Sequence, residues 1–246
     1  MTTINKRNIY ILQTFSFIMK SINLLKRLER HALFTENDIA KIINKNPSYV
    51  KTLLYRLHKN GFIKRIEKGK YSVYDDPMIF ASYITKPSYL SLWTAFRHYN
   101  MIQQQPFGIF VISPISKKPI RFQNIEIIFS KTKHMSGYQK ERYGDFDIFV
   151  AEKEKAIIDA LLFKLPIQDI CYAIENGEMD FKKIAAYAKK TRNKSLIKRI
   201  GYILYKKTGN SYNLKPLDNN YISLDYLNSK KGKKDKRWKL NINLVI

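Results

Sequence analysis

Residues 35–74 read TENDIAKIINKNPSYVKTLLYRLHKNGFIKRIEKGKYSVY, and this stretch carries the main structural signals of the N-terminal part. Thr35, with Asp38 three residues later, forms a capping-box pattern that predicts the start of a helix. Asn46 and Pro47 predict the start of the next helix, and Gly61 predicts its end, because these residue types favour those helix positions. The turn between the two helices is residues 44–46.

Two short alternating segments, residues 62–66 and 70–74, follow the second of these helices. Glu67-Lys68-Gly69 joins them and predicts a β-hairpin, since glycine suits the positive φ of a short hairpin loop. An additional helix ending near His31 precedes Thr35. The order helix, helix, turn, helix, hairpin predicts a winged helix-turn-helix domain over residues 1–74.

The helix that starts at Pro47 carries the residues that we expect to contact DNA. Its apolar residues Val50, Leu53, Leu54 and Leu57 form one stripe facing the core. A helix that enters the major groove needs cations, hydrogen-bonding groups and aromatic rings on its other face. That face comprises Ser48, Tyr49, Lys51, Thr52, Tyr55, Arg56 and Lys59. Winged helices that serve only as protein-interaction modules are the alternative interpretation.

Charge is unevenly distributed along this chain of 246 residues, whose net charge is +25. Residues 1–74 carry +11, residues 75–180 carry −1, and residues 181–207 contain ten cations and no acid. Basic segments around a near-neutral middle indicate polyanion-binding surfaces on a scaffold that does not itself bind them. Compositional drift in an AT-rich genome is the alternative, although drift alone would not leave the middle neutral.

The hairpin and the C-terminal part supply the remaining expected phosphate contacts. On the hairpin these are Lys64, Arg65, Lys68 and Lys70. A predicted helix over residues 195–207 places Lys198, Arg199, Lys206 and Lys207 away from its apolar stripe. We expect these cations, helped by the basic run 230–239, to contact phosphates without reading bases.

The second part of the chain, residues 75–246, predicts a mixed α/β domain, so the fold class is α+β. We expect a small antiparallel sheet, a buried helix beginning at Pro87, and C-terminal helices, with a basic helical part (181–207) and a basic tail (228–246). The expected strands are residues 108–113, 120–122, 125–129 and 146–150, and the expected helices are residues 152–165, 168–175, 180–190 and 195–207.

Composition argues against a disulfide scaffold, a zinc module and a membrane protein. One cysteine, Cys171, and four scattered histidines offer no pairing or ligand cluster, so we expect no metal or cofactor. The apolar stretch from Ile9 to Met19 is too short to span a bilayer. It predicts an amphipathic helix with the stripe Ile11, Phe15, Ile18, Ile22 and Leu25. We expect a cytoplasmic protein without membrane partners.

Catalysis has one candidate site, Asp145 and Asp147, because an Asp-x-Asp strand can hold Mg²⁺ for nucleotidyl transfer. Such a site normally also needs a phosphate-binding glycine loop and a third carboxylate on a nearby strand. No glycine-rich loop precedes the two aspartates, and the alternation places both on the wet face of a strand. Glu154 and Asp159 lie on different faces of a helix, whereas Lys155 and Asp159, at i and i+4, predict an ion pair. We expect no enzymatic activity.

Four segments in order resemble the AbiEi-type antitoxins of abortive-infection (type IV) toxin–antitoxin systems over nearly the whole chain. They are Gly69-Lys70-Tyr71, residues 86–92 (KPSYLSL), residues 151–159 (AEKEKAIID, similar to A-x-x-E-K-A-x-x-D), and residues 221–225 (YISLD) with Trp238 beyond. The basic run 230–239 is denser than is usual for that family.

The resemblance implies a DNA-binding transcriptional regulator that represses its own operon. We expect it to bind an inverted repeat in its own promoter, because two winged helices read two half-sites. It also implies a nucleotidyltransferase-like toxin as the functional partner, antagonised without a stable complex. The alternative is an antitoxin-like module that acts mainly on protein or RNA.

Overall fold

The computed structural model describes residues 21–228 and 231–246. The chain divides into two compact units, Met1–Ile84 (unit 1) and Thr85–Ile246 (unit 2). The boundary predicted after Tyr74 lies inside unit 1. Helices and strands occur in both units, which confirms the α+β class.

Unit 1 consists of short helices and one three-stranded sheet. Within the described residues its first helix, α1, covers residues 21–28. The elements that follow are β1 (Phe34–Thr35), α2 (Glu36–Ile43), α3 (Pro47–Lys59), β2 (Lys64–Glu67), β3 (Lys70–Ser72), α4 (Pro77–Phe80) and a 3₁₀ turn (Ala81–Tyr83). The strand order is β1-β3-β2, and both pairings are antiparallel.

The helix signals of unit 1 are confirmed. The Thr35 hydroxyl accepts a hydrogen bond from the Asp38 N–H (3.3 Å), and the Asp38 carboxylate accepts one from the Thr35 N–H (2.8 Å). Asn46 Oδ1 accepts the N–H of Tyr49 at 2.9 Å. Gly61 and Gly69 have φ of 77° and 76°, which lets the chain leave α3 and turn between β2 and β3.

The core of unit 1 contains the predicted α3 stripe of Val50, Leu53, Leu54 and Leu57, together with Leu24, Leu28, Phe34, Ile39, Ile63 and Tyr71. The stripe predicted for the first helix is wrong at Ile22, which is exposed, because Leu24 and Leu28 are the residues that face the core. Its other members Ile11, Phe15 and Ile18, and the stretch Ile9–Met19, lie outside the described residues.

Unit 2 is built on a six-stranded sheet followed by helices and a second small sheet. The six strands are β4 (Tyr89–Leu90), β5 (Gly108–Ser113), β6 (Ile120–Phe122), β7 (Ile125–Lys131), β8 (Tyr138–Tyr143) and β9 (Phe146–Ala151). The helices are α5 (Leu92–His98), α6 (Lys153–Leu162), α7 (Ile167–Asn176), α8 (Phe181–Thr191) and α9 (Lys194–Thr208). The second sheet comprises β10 (Ile222–Ser223), β11 (Lys233–Asp235) and β12 (Leu240–Ile242).

The large sheet is mixed, so the prediction of a small antiparallel sheet is wrong. Its order is β6-β7-β5-β4-β9-β8. The hairpin of β6 and β7 reverses the chain, which leaves β7 parallel to β5, and β4 is parallel to β9. The remaining neighbours are antiparallel.

The helix predicted from Pro87 begins later than expected. Leu90 instead pairs with Val111 on one side and Val150 on the other, as part of β4. Ser91 then caps α5 with extended backbone geometry. The chain therefore completes the sheet before it turns into the helix.

The C-terminal sheet packs against α9. In this sheet β12 pairs in parallel with β10 and antiparallel with β11. Trp238, in the turn between β11 and β12, is 1% exposed, and a Cβ added at Gly201 of α9 would overlap its ring. Across the described parts of the chain, no helix has the length and apolar character that a membrane crossing requires.

Candidate nucleic-acid interface

The face of α3 opposite the core is exposed along its whole length. All seven predicted contact residues lie on it and are exposed: Ser48, Tyr49, Lys51, Thr52, Tyr55, Arg56 and Lys59. We call this set the α3 face. The two tyrosine rings are large exposed apolar groups, with Tyr55 64% and Tyr49 48% exposed.

Cations on the α3 face are not neutralised by acids of the same helix, since residues 47–59 contain no Asp or Glu. Lys51, Tyr55 and Lys59 make no hydrogen bond or ion pair with the part of the chain that the structure describes. They stand at i, i+4 and i+8, so they form one row along the helix. Thr52 donates its hydroxyl hydrogen to the Ser48 carbonyl at 3.2 Å, which is a local bond.

The hairpin of β2 and β3 presents two of its four predicted cations freely to solvent. Arg65 and Lys68 are exposed. Lys64 pairs with Asp75 at 3.2 Å, and Lys70 pairs with Glu67 at 2.9 Å and donates to the Ile84 carbonyl. The positive charge of the hairpin is therefore concentrated at Arg65 and Lys68.

Two of the residues predicted to contact phosphates from α9, Lys198 and Arg199, are not available to do so. Lys198 is 1% exposed, and its ammonium donates to the carboxylate of Asp218 and to the carbonyl of Asn220. The hydrogen bond from Lys198 holds the pKa of Asp218 below its usual value. The prediction that Lys198 contacts phosphates from the face of α9 away from its apolar stripe is wrong, because the 218–220 loop covers its side chain and supplies its counter-charge.

Arg199 is likewise engaged within unit 2, whereas Lys206 is exposed as predicted. The Arg199 Nε donates to the carbonyls of Ser223 (3.1 Å) and Leu224 (2.9 Å). Its guanidinium carbon lies 5.0 Å from the centroid of the Tyr226 ring. Burial lowers the pKa of Arg199, while Tyr226 acts in the opposite direction. Arg199 thus joins α9 to the strand that follows it.

The Asp-x-Asp candidate lies on β9 and the turn before it. The side chain of Asp145 is fully exposed, and Asp147 pairs with Lys140 at 2.8 Å and Arg142 at 3.6 Å. The hydrogen bond from Lys140 holds the pKa of Asp147 below its usual value. Among residues 21–228 and 231–246, no three His, Cys, Asp or Glu side chains are grouped to hold a metal ion.

A buried polar cluster in unit 2 contains the predicted Lys155–Asp159 ion pair, which is confirmed. Sequence reasoning missed its other members. Tyr89 and Ser91 donate to the Asp159 carboxylate at 3.1 and 2.9 Å, and the Lys155 ammonium donates to the Tyr89 hydroxyl at 2.8 Å. All four side chains are buried, so the cluster fixes α6 against β4.

Comparison with known proteins adds the fold alone. No family model matches the sequence, and no curated protein matches it. Among solved structures, the chain is similar to the RV2827C protein from Mycobacterium tuberculosis, with a TM-score of 0.60 and 12% sequence identity. The similarity covers 88% of this chain and 89% of that chain.

Proposed function

We propose that the protein is a DNA-binding transcriptional regulator, in which residues 1–74 form a winged helix-turn-helix and α3 is the recognition helix. The observation that carries the proposal is the α3 face, an exposed surface of cations, hydroxyls and aromatic rings without an acid. A helix with its side chains is about as wide as the major groove, roughly 12 Å, so α3 can enter it.

The row Lys51, Tyr55 and Lys59 offers the chemistry of base recognition. A lysine ammonium can donate to the O6 and N7 acceptors of guanine, and a tyrosine ring can contact the methyl group of thymine. The positive end of the α3 dipole lies at Pro47, and it favours a phosphate nearby. Arg65 and Lys68 on the hairpin would add phosphate contacts that position the protein without reading sequence.

We further propose that the regulator is the antitoxin of a type IV toxin–antitoxin system and represses its own operon. The support is the sequence resemblance to AbiEi-type antitoxins, which includes residues 151–159. In this proposal the functional partner is a nucleotidyltransferase-like toxin that is antagonised in the cytoplasm without a stable complex. A toxin gene in the adjacent reading frame is the expected genetic context.

We propose no catalytic role for Asp145 and Asp147, because Asp147 is already paired with Lys140 and Arg142. Replacing both by Asn should leave DNA binding unchanged. Metal-dependent nucleotide incorporation by the wild type that disappears in the double variant would instead make the pair a catalytic site. The assay uses labelled nucleotides with Mg²⁺ and purified full-length protein.

The test of the regulator is DNase footprinting of the protein on its own promoter, against a scrambled duplex of equal length and base composition. We expect protection centred on an inverted repeat and tighter binding to the promoter than to the scramble. Equal affinity for both duplexes, with no defined footprint, would contradict the proposal. Preferential binding to RNA would favour the alternative module.

A further inference from the structure

The turn between β11 and β12 packs against α9. Trp238 is buried beside Gly201, and the Asp235 carboxylate accepts the N–H of Trp238 at 2.6 Å. The guanidinium carbon of Arg237 lies 3.8 Å from the centroid of the Tyr205 ring, on the last part of α9. The hairpin turn and the end of α9 therefore form one surface.

Cations cover this surface, which we call the hairpin cation surface. It comprises Lys231, Lys233, Lys234, Lys236 and Arg237 from the hairpin, and Lys206 from α9, all of them exposed. Lys234 and Lys239 lie 5.3 and 5.7 Å from the centroid of the Tyr221 ring. Contacts with aromatic rings restrict two of the surface's side chains, Lys234 and Arg237, before any ligand binds, which lowers the entropy cost of binding.

The hairpin cation surface keeps a net positive charge, because its cations outnumber Asp235, the acid that lies among them in sequence. Residues 194–246 contain three acids, Asp218, Asp225 and Asp235. Asp218 is paired with Lys198, Asp225 accepts from the Leu227 backbone and the Asn228 amide, and Asp235 accepts from the Trp238 backbone. No cation of the surface forms an ion pair within the described residues. Such a concentration of one sign of charge opposes folding and favours a polyanion.

We propose that the hairpin cation surface binds the phosphates of duplex DNA without reading bases. The proposal deepens the proposed DNA binding by adding a second binding surface, but it does not depend on base recognition by α3. Duplex DNA fits better than a single strand, because single-strand binding uses free aromatic rings as stacking platforms. Here Trp238 is buried, and Tyr205 and Tyr221 each have a cation over the ring.

The experiment measures the affinity of the full chain for a random-sequence duplex as a function of salt. The variant replaces Lys233, Lys234 and Lys236 by Ala and leaves the anchoring residues Asp235 and Trp238 intact. The control replaces Lys118, Arg121 and Lys131, three exposed cations of the near-neutral segment, so both variants lose the same net charge. Circular dichroism checks that both remain folded.

We expect the slope of log affinity against log salt to flatten by about two to three units in the hairpin variant, since each lost phosphate contact contributes about one unit. The control should keep the wild-type slope. An unchanged slope in the hairpin variant, or an equal change in the control, would overturn the proposal. The proposal would also be overturned if the protein bound a stem-loop RNA of equal length more tightly than the duplex DNA, and if the Lys233, Lys234 and Lys236 variant lost that RNA binding.

The promoter-to-random affinity ratio separates this proposal from base reading by α3. In the hairpin variant that ratio should stay at the wild-type value, because phosphate contacts weaken all sequences equally. A protein without promoter preference whose slope still flattens would refute recognition by α3 and uphold the hairpin cation surface. A ratio that falls in the hairpin variant would show base reading there and overturn the proposal as stated.

Discussion

Helices α3 and α9 look alike in sequence, yet the structure uses their cations differently. Each has an Asn N-cap, an apolar stripe and several basic residues, and neither contains an acid. On α3 the cations Lys51 and Lys59 are exposed without a partner in the described part of the chain. On α9 Lys198 is buried in an ion pair and Arg199 binds backbone carbonyls. Cation density alone therefore does not identify a binding surface.

The difference follows from what covers each helix. The buried residues of α3 form one stripe, so half of the helix remains in solvent. In α9 all residues from Leu196 to Leu204 except Arg199 are buried, because the helix packs beside α8 and under the C-terminal sheet. A buried cation needs hydrogen-bond acceptors close to it, and residues 218–224 supply them for Lys198 and Arg199.

The largest expected effect is the loss of stability on replacing Lys198. Lys198→Ala truncates a buried side chain and leaves the Asn220 carbonyl without its donor, which we expect to cost about 3 kcal/mol. The same change at Lys51 should cost under about 0.5 kcal/mol, because that side chain is exposed. Urea unfolding measures both, by tryptophan fluorescence for unit 2 and by circular dichroism for unit 1. Similar costs at the two positions would show that Lys198 and Lys51 do not differ in their contribution to stability.

A smaller loss of stability is expected from adding a methyl group at Gly201. Gly201→Ala places a methyl group against the buried Trp238 ring, and overpacking of this kind costs about 2 kcal/mol. Ser48→Ala on the exposed α3 face is the control and should change stability by under about 0.5 kcal/mol. Retention of wild-type stability by Gly201→Ala would show that the C-terminal sheet does not pack tightly on α9.

The smallest effect concerns what the two helices share. Asn46 and Asn193 each accept a backbone N–H of the first turn, from Tyr49 at 2.9 Å and from Leu196 at 3.0 Å. Replacing either by Ala should cost about 1 kcal/mol. Equal costs would show that the two helices differ in the residues that cover them and not in their N-terminal capping. A cost confined to one helix would contradict this.

Local signals were readable from the sequence because they depend on a few neighbouring residues. The Thr35–Asp38 capping box, the Asn46 cap and the Lys155–Asp159 pair all join residues three or four apart. The order of the helices and the hairpin of β2 and β3 followed from the same kind of information. The amphipathic stripe of α3 was also correct, since one face of that helix remains in solvent.

Features that depend on distant residues were not readable. Tyr89 and Ser91 meet Asp159 about seventy residues later in the chain, and no local pattern indicates that contact. Strand β8 (Tyr138–Tyr143) has no apolar alternation, because its edge position leaves most of its side chains partly exposed. The 218–220 loop buries Lys198, and the sequence of α9 alone does not predict that contact.

Recognition of DNA sequence by the α3 face is tested most directly by the promoter-to-random affinity ratio of the triple variant Lys51→Ala, Tyr55→Ala, Lys59→Ala. Its control is the double variant Lys26→Ala, Arg30→Ala, which removes two exposed cations outside α3 and outside the hairpin of β2 and β3. We expect the triple variant to bind both duplexes equally, while the control keeps the wild-type ratio at slightly lower affinity. A triple variant that retains the wild-type ratio would show that α3 does not read the promoter.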